Sequence, residues 1–219
     1  MADIFREIDE EVRRERALDV WRKHGNKIVA LAVLIVLAVA GWRGWQYFET
    51  QKAQEAGAKF EQALQDSKAG KTAEAEQVLS ELAKSSTSGY QKLARLREAG
   101  EIAKSDPAEA VEAYDAIAGD SSFDAAMRDV ARLRAAMLLV DSASREDLQK
   151  RLSPVIDAGT FGPNAHELIG LAALKAGDYE AAGKAFDQIV TDRNAPPSLR
   201  QRAELLLALV KAGPLKPAS

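Results

Sequence analysis

His24 and His166 are the only imidazoles in the chain, and neither has a carboxylate, a hydroxyl or a second imidazole three or four residues away, where a helix would place a partner. Cysteine is absent. That removes disulfides, thiolate metal sites and a cysteine nucleophile, and leaves the redox compartment unread from thiol usage. The carboxylates are scattered among lysines and arginines as on solvated helix faces. No phosphate-cradling glycine loop, dinucleotide glycine pattern, H-E-x-x-H or G-x-S-x-G occurs. With no nucleophile, base or metal set to build from, no catalytic residue, metal ligand or cofactor is assigned and the chain is read as a non-enzyme. The formal net charge of −3, without a basic stripe, also sets nucleic acid aside as a partner.

The spacings that remain do mechanical work. A small residue followed four positions later by a large one appears as Ala75 with Leu79, Ala110 with Tyr114 and Ala182 with Phe186, and a third pair uses Leu148 with Leu152. Successive elements are 35, 38 and 34 residues apart. The clearest unit, His166 to Pro196, aligns with the tetratricopeptide pattern: His166, Ile169, Gly170 and Ala173 on a first helix, Gly177-Asp178-Tyr179 in the turn, Ala182 and Phe186 on a second. Gly170 and Ala182 are small where two helices touch, and Phe186 fills the space between pairs. His166 and Ala173 stand where the pattern has aromatics.

These repeats need elements of a particular kind and order. Ala, Leu, Glu, Lys, Gln and Arg dominate, aromatics are 6%, and the β-branched residues that favour strands are sparse. The expected fold is all-α. Turn residues at Gly70, Asp106-Pro107, Asp141 to Ser144 and Gly177-Asp178 divide first helices from second ones. Ser85 to Gly89, Gly119 to Ser122 and Gly159 to Pro163 separate the pairs. Asp106-Pro107 predicts a capped helix start with Pro in the first position, and Asn164 to Glu167 has the spacing of a capping box. The expected domain over residues 49–219 is four helix pairs closed by a last helix, about Ser198 to Lys211, whose Leu199, Leu205, Leu206, Leu207 and Leu209 would shield the open end.

Ahead of the repeats, residues 28–48 are 21 mostly apolar positions whose only charge is Arg43. About 20 such residues suffice for a helix to cross the hydrocarbon of a bilayer, with Arg43 reaching to the headgroups. Trp42, Trp45, Tyr47 and Phe48 stand where an interfacial belt would lie, and Trp21 is the large ring on the other flank. Arg13, Arg14, Arg16, Arg22, Lys23 and Lys27 precede the stretch, against Lys52 and Lys59 over a similar length after it. Positive residues resist translocation, so residues 1–27 are expected in the cytoplasm and residues 49–219 on the far side, the periplasm in a two-membrane bacterium. Those exported residues hold 22 Lys/Arg and 26 Asp/Glu, about −4 by formal counting. Ala38-Val39-Ala40 fits a signal-peptidase site, so a cleaved signal is the alternative to an anchor. In the leader, Ile4, Ile8 and Val12 with Phe5 form one narrow apolar stripe on a charged helix: a solvated lead-in, or a surface lying on the membrane or a cytoplasmic partner.

A charged leader, one span ending in Gly41-Trp42-Arg43-Gly44-Trp45, an Ala-rich helix with Phe60 directly after it, and degenerate tetratricopeptide repeats together resemble the ancillary subunit family of the SecYEG translocon. The resemblance covers essentially the full chain, with the G-W-R-x-W element and the order of segments as its distinctive parts. It implies a single-pass inner-membrane protein whose periplasmic repeats bind proteins, linking the translocon to periplasmic chaperones or secreted proteins. The alternative is a structural scaffold of cell-envelope biogenesis or division without translocon contact, which has the same fold and a different partner.

Overall fold

A computed structural model describes residues 2–84 and 88–213, with the side chains of residues 2–17, 19, 20, 28 and 88 left outside the description. Among the described residues every regular element is an α-helix: α1 (Ala2–Lys68), α2 (Thr72–Ala83), α3 (Ser88–Ile102), α4 (Pro107–Gly119), α5 (Ala125–Leu139), α6 (Arg145–Ala158), α7 (Gly162–Lys175), α8 (Tyr179–Thr191) and α9 (Pro197–Ala212). The chain divides into two compact units, Met1–Glu55 and Ala56–Ser219.

α1 runs through the whole first unit and supplies the opening helix of the second. The first proline in the chain is Pro107, so nothing between residues 2 and 68 removes a backbone donor, and the glycines in that stretch each cost only about 1 kcal/mol relative to Ala. The helix therefore continues through positions 27/28 and 48/49. It is long and apolar enough to cross a membrane. Its leucines and valines from Val29 to Val39 are exposed, as are Trp21, Trp42, Trp45, Tyr47 and Phe48. Trp42 and Trp45 meet edge to face with ring centroids 5.7 Å apart. The leader stripe of Ile4, Phe5, Ile8 and Val12 lies on side chains outside the described residues.

The second unit is four helix pairs and a final helix: the end of α1 with α2, then α3 with α4, α5 with α6, α7 with α8, and α9 alone. Each apolar cluster joins one pair to the first helix of the next. Leu79 and Leu82 of α2 pack with Ala56 and Ala63 of α1 and Ala94 of α3. Tyr114 and Ile117 of α4 pack with Ala99 of α3 and with Ala131 and Ala135 of α5. Leu148, Leu152 and Val155 of α6 pack with Leu133 and Ala136 of α5 and Ala165 and Leu168 of α7. The last pair has no successor, and Leu199 and Ala203 of α9 complete its cluster around Phe186 and Ile189. A single pair cannot bury its own apolar faces; stacking does.

Turn chemistry explains why the chain reverses where it does. Gly70 and Gly177 adopt φ of +79° and +75°, the left-handed conformation in which a side chain is strained, at the ends of first helices. The Asp106 carboxylate accepts from the backbone N–H groups of Ala108 and Glu109, both at 3.0 Å, with Pro107 opening α4. Ser144 and Asp178 cap α6 and α8 in the same way. The expected capping box at Asn164 to Glu167 is not the start of α7. Gly159, at φ +81°, ends α6, the Gly162 N–H donates to the Gly159 carbonyl at 3.2 Å, and α7 begins at Gly162 with Pro163 in its first turn. Asn164 is thereby inside the helix.

Candidate partner-binding surface

The repeat-signature residues sit at the helix contacts. Ala75, Leu79, Ala110, Tyr114, Ala182 and Phe186 are buried on second helices. A Cβ built on Gly170 would lie 2.5 Å from Cε1 of Phe186, closer than carbon atoms approach, so only glycine fits opposite that ring. Four fully buried or nearly bare positions on first helices repeat this logic: Ala63, Ala99 and Ala136 are fully buried, and Gly170 follows 34 residues after Ala136. Of these four the repeat pattern marks only Gly170, because alanine is common throughout the chain.

Ion pairs and hydrogen bonds stitch neighbouring pairs at nearly the same interval. Ser67 donates to Glu101 at 2.7 Å across 34 residues, Arg145 to Asp178 at 2.6 Å across 33, and Arg202 to both oxygens of Glu167 at 2.6 and 2.9 Å across 35. Arg151 and Asp115 pair across 36. Arg95 donates to Asp120 at 2.9 Å, and the Asp120 carboxylate, also holding the Ser122 N–H at 2.9 Å, is lowered to about 2, with the Ser122 bonds the larger cause. Most of these pairs are partly exposed, so each contributes about 1 kcal/mol or less, and their use is to fix register.

These contacts tie first helices together, as Ser67 to Glu101 does, as well as second helices, as Arg151 to Asp115 does, and part of the first-helix surface is left open. Leu93 and Arg97 of α3 and Val130 and Arg134 of α5 stand at equivalent positions, 37 residues apart in both cases. Together with Phe60 of α1 and Lys104 in the turn after α3 they line a cavity of about 300 Å³ that spans three consecutive pairs, floored by the buried Tyr114. Leu93 is 39% exposed, and Met137, one turn beyond Arg134, is 52% exposed. Beneath Arg97 and Lys104 lies Glu101, whose side chain is fully buried. Burial alone would raise its pKa. Hydrogen bonds from Lys104 and Ser67 and the charges of Lys104 and Arg97 outweigh that and hold the carboxyl below its ordinary value. Burial raises the Tyr114 hydroxyl, with Arg134 and Arg97 pulling the other way. Of this lining the sequence marks only Tyr114, as a repeat position, and Phe60; for Arg97 and Arg134 the available signal is the 37-residue recurrence of Leu-x₃-Arg and Val-x₃-Arg.

The remaining candidates are placed plainly. In the first unit, Gly41 and Gly44 have no neighbour within 4 Å of a built Cβ, and Arg43 is exposed between Trp42 and Trp45. Trp21 lays its ring 3.6 Å from a Cβ built on Gly25. His166 is half-buried beside a small cavity with Gln188 and Asp192, and burial lowers its pKa against the opposing pull of Asp192. Among the described residues no group of three His, Asp or Glu side chains is gathered closely enough to hold a metal ion. On α9, Leu199 is buried and Leu206 and Leu207 are packed, whereas Leu205 and Leu209 face outward at 69% and 49% exposure. The expected shielding therefore comes from Leu199, Ala203, Leu206 and Val210.

Comparison with curated proteins and with solved structures returned no match. Residues 19–207 match the family described as tetratricopeptide repeat-like domain, a range that takes in the apolar stretch as well as the helix pairs. The chain belongs to the tetratricopeptide repeat-like domain family.

Proposed function

We propose that the chain is a membrane-anchored, protein-binding adaptor: residues 28–48 span the inner membrane with residues 1–27 in the cytoplasm, and residues 49–219 work in the periplasm. Repeat domains of this family are protein-interaction scaffolds, and the observation that carries the reading is the junction of two surfaces in one polypeptide. One is an apolar helix whose side chains are exposed along its length; the other is an open face on the first helices of α1, α3 and α5. Lysine and arginine asymmetry around the span supports this orientation.

The resemblance to the ancillary SecYEG subunit, carried by Gly41-Trp42-Arg43-Gly44-Trp45 and the order of segments, supports a finer assignment in which the anchor docks at the translocon and the repeats receive periplasmic chaperones or secreted proteins. Gly41 and Gly44 leave room for another transmembrane helix to approach. Photo-reactive residues at positions 41 and 44 are expected to cross-link to translocon subunits, and replacing residues 28–48 by an unrelated span should abolish those products. In spheroplasts, added protease should remove everything beyond Phe48 and leave a membrane-bound fragment containing Trp21. Protection of the repeats would reverse the orientation. A mature protein that begins at Gly41 and washes off with carbonate would replace the anchor by a cleaved signal.

A further inference from the structure

The cavity between α3 and α5 carries a charge opposite in sign to the formal charge of residues 49–219. Arg97, Lys104 and Arg134 line it against a single carboxylate, Glu101, which Arg97 and Lys104 already share. Arg134 is exposed and forms no ion pair among the described residues, and Arg97 Nε is buried without an acceptor. Three cations around one carboxylate leave a local excess of two positive charges, in an exported part whose formal charge is about −4. Apolar side chains stand directly beside them: Phe60, Leu93 and Val130 in the walls, Met137 one turn further along α5.

Building on the protein-binding reading of this face, we propose that the cavity receives an acidic segment of a partner protein, a carboxylate seated among Arg97, Lys104 and Arg134 with a neighbouring apolar side chain resting on Leu93 and Val130. Charge complementarity selects this occupant. A guanidinium held in place by a buried partner is a prepared donor for a carboxylate, and the Glu101 and Ser67 contacts fix Arg97 and Lys104 before any ligand arrives. Glu101 is thus a positioning residue. A neutral or basic segment would leave the excess of two positive charges uncompensated while covering it from water, which disfavours it.

The test uses the full chain in detergent micelles and two fluorescent ten-residue peptides, one containing two Leu-Glu steps and one with both glutamates replaced by glutamine. The acidic peptide is expected to bind at least tenfold more tightly than the amide peptide and to weaken as salt is raised. Arg134→Glu should weaken it at least tenfold, Arg134→Gln should weaken it by less, and Arg193→Glu, at an exposed turn away from the cavity, should leave it unchanged. A thermal melt of each variant confirms that the fold is retained. Equal binding of the two peptides, or an Arg134→Glu protein that binds as the parent does, overturns the proposal. In that case cross-linking from a photo-reactive residue at position 137 decides the wider reading: trapped periplasmic proteins would leave the first-helix face as a binding surface without charge selection, and none would remove both.

Discussion

Leu34 and Leu79 are the same side chain in the same secondary structure, and they end in opposite places: Leu34 is 63% exposed and Leu79 is fully buried. The difference lies in what surrounds each helix. α1 over residues 29–48 is apolar on every side, so no single stripe exists for a partner helix to cover, whereas α2 concentrates Ala75, Leu79 and Leu82 on one face. A stripe is satisfied by protein; an apolar cylinder is satisfied by lipid. Each burial of a leucine in the repeats is worth about 1.5–3 kcal/mol, and the exposed leucines of the first unit make no such gain against the rest of the described chain.

Separating the units gives the largest expected effect. Residues 56–219 alone should stay in solution, give a helical circular dichroism spectrum and melt in one cooperative transition, while residues 1–55 alone should require detergent or lipid. A spectrum of the repeat fragment dominated by strand, or a repeat fragment that needs detergent, would erase the contrast.

Within the repeats, Phe186→Ala empties a fully buried site between α7, α8 and α9 and is expected to cost about 3–5 kcal/mol in a denaturant titration. The equivalent truncation of an exposed ring, Trp42→Ala, should leave the midpoint of the repeat transition where it was.

Glu101 sharpens a different side of the comparison, since the core of the second unit holds a charge. Its folded-state pKa is depressed, so its contribution is present above the unfolded value of about 4.5 and is lost as pH falls through the folded value. The parent protein should therefore lose stability below about pH 4.5, and Glu101→Gln should lower stability at pH 7 by about 1–3 kcal/mol and flatten that acid limb. Unchanged pH dependence in the variant would show that another carboxylate governs it.

The smallest effects come from two helical glycines and should have opposite signs. Gly170→Ala meets the fully buried Phe186 ring at 2.5 Å and should destabilise by about 1–3 kcal/mol. Gly183→Ala meets only Val210 Cγ1 at an ordinary 3.5 Å and should stabilise by about 0.5–1 kcal/mol through helix propensity.

The parts of the fold legible in the sequence are those governed by local chemistry: Asp106-Pro107, Gly70 and Gly177-Asp178 mark reversals because a cap or a left-handed glycine acts within four residues. The start of α7 was misread because Asn164 to Glu167 imitates a cap, whereas Gly159 closes α6 so tightly that the next helix begins at once. Glu101 looks like any solvated carboxylate until Ser67, 34 residues away, is brought against it. The cavity of Arg97 and Arg134 was missed for a related reason. Apolar periodicity reports which faces are covered, and a binding surface is the face left uncovered. Leu205 and Leu209 went astray in the opposite direction, since the six consecutive apolar residues 205–210 on α9 cannot all point inward.

The first-helix face as the place where partners bind is tested most directly by site-specific photo-cross-linking of the full chain in native membranes, with the reactive residue at Leu93 or Met137 on first helices and at Gln77, Glu112 or Gln149 on exposed sites of second helices. Positions 93 and 137 are expected to give discrete adducts with periplasmic proteins, and positions 77, 112 and 149 are expected to give none. Adducts confined to the second helices, or equal at all five positions, would contradict it.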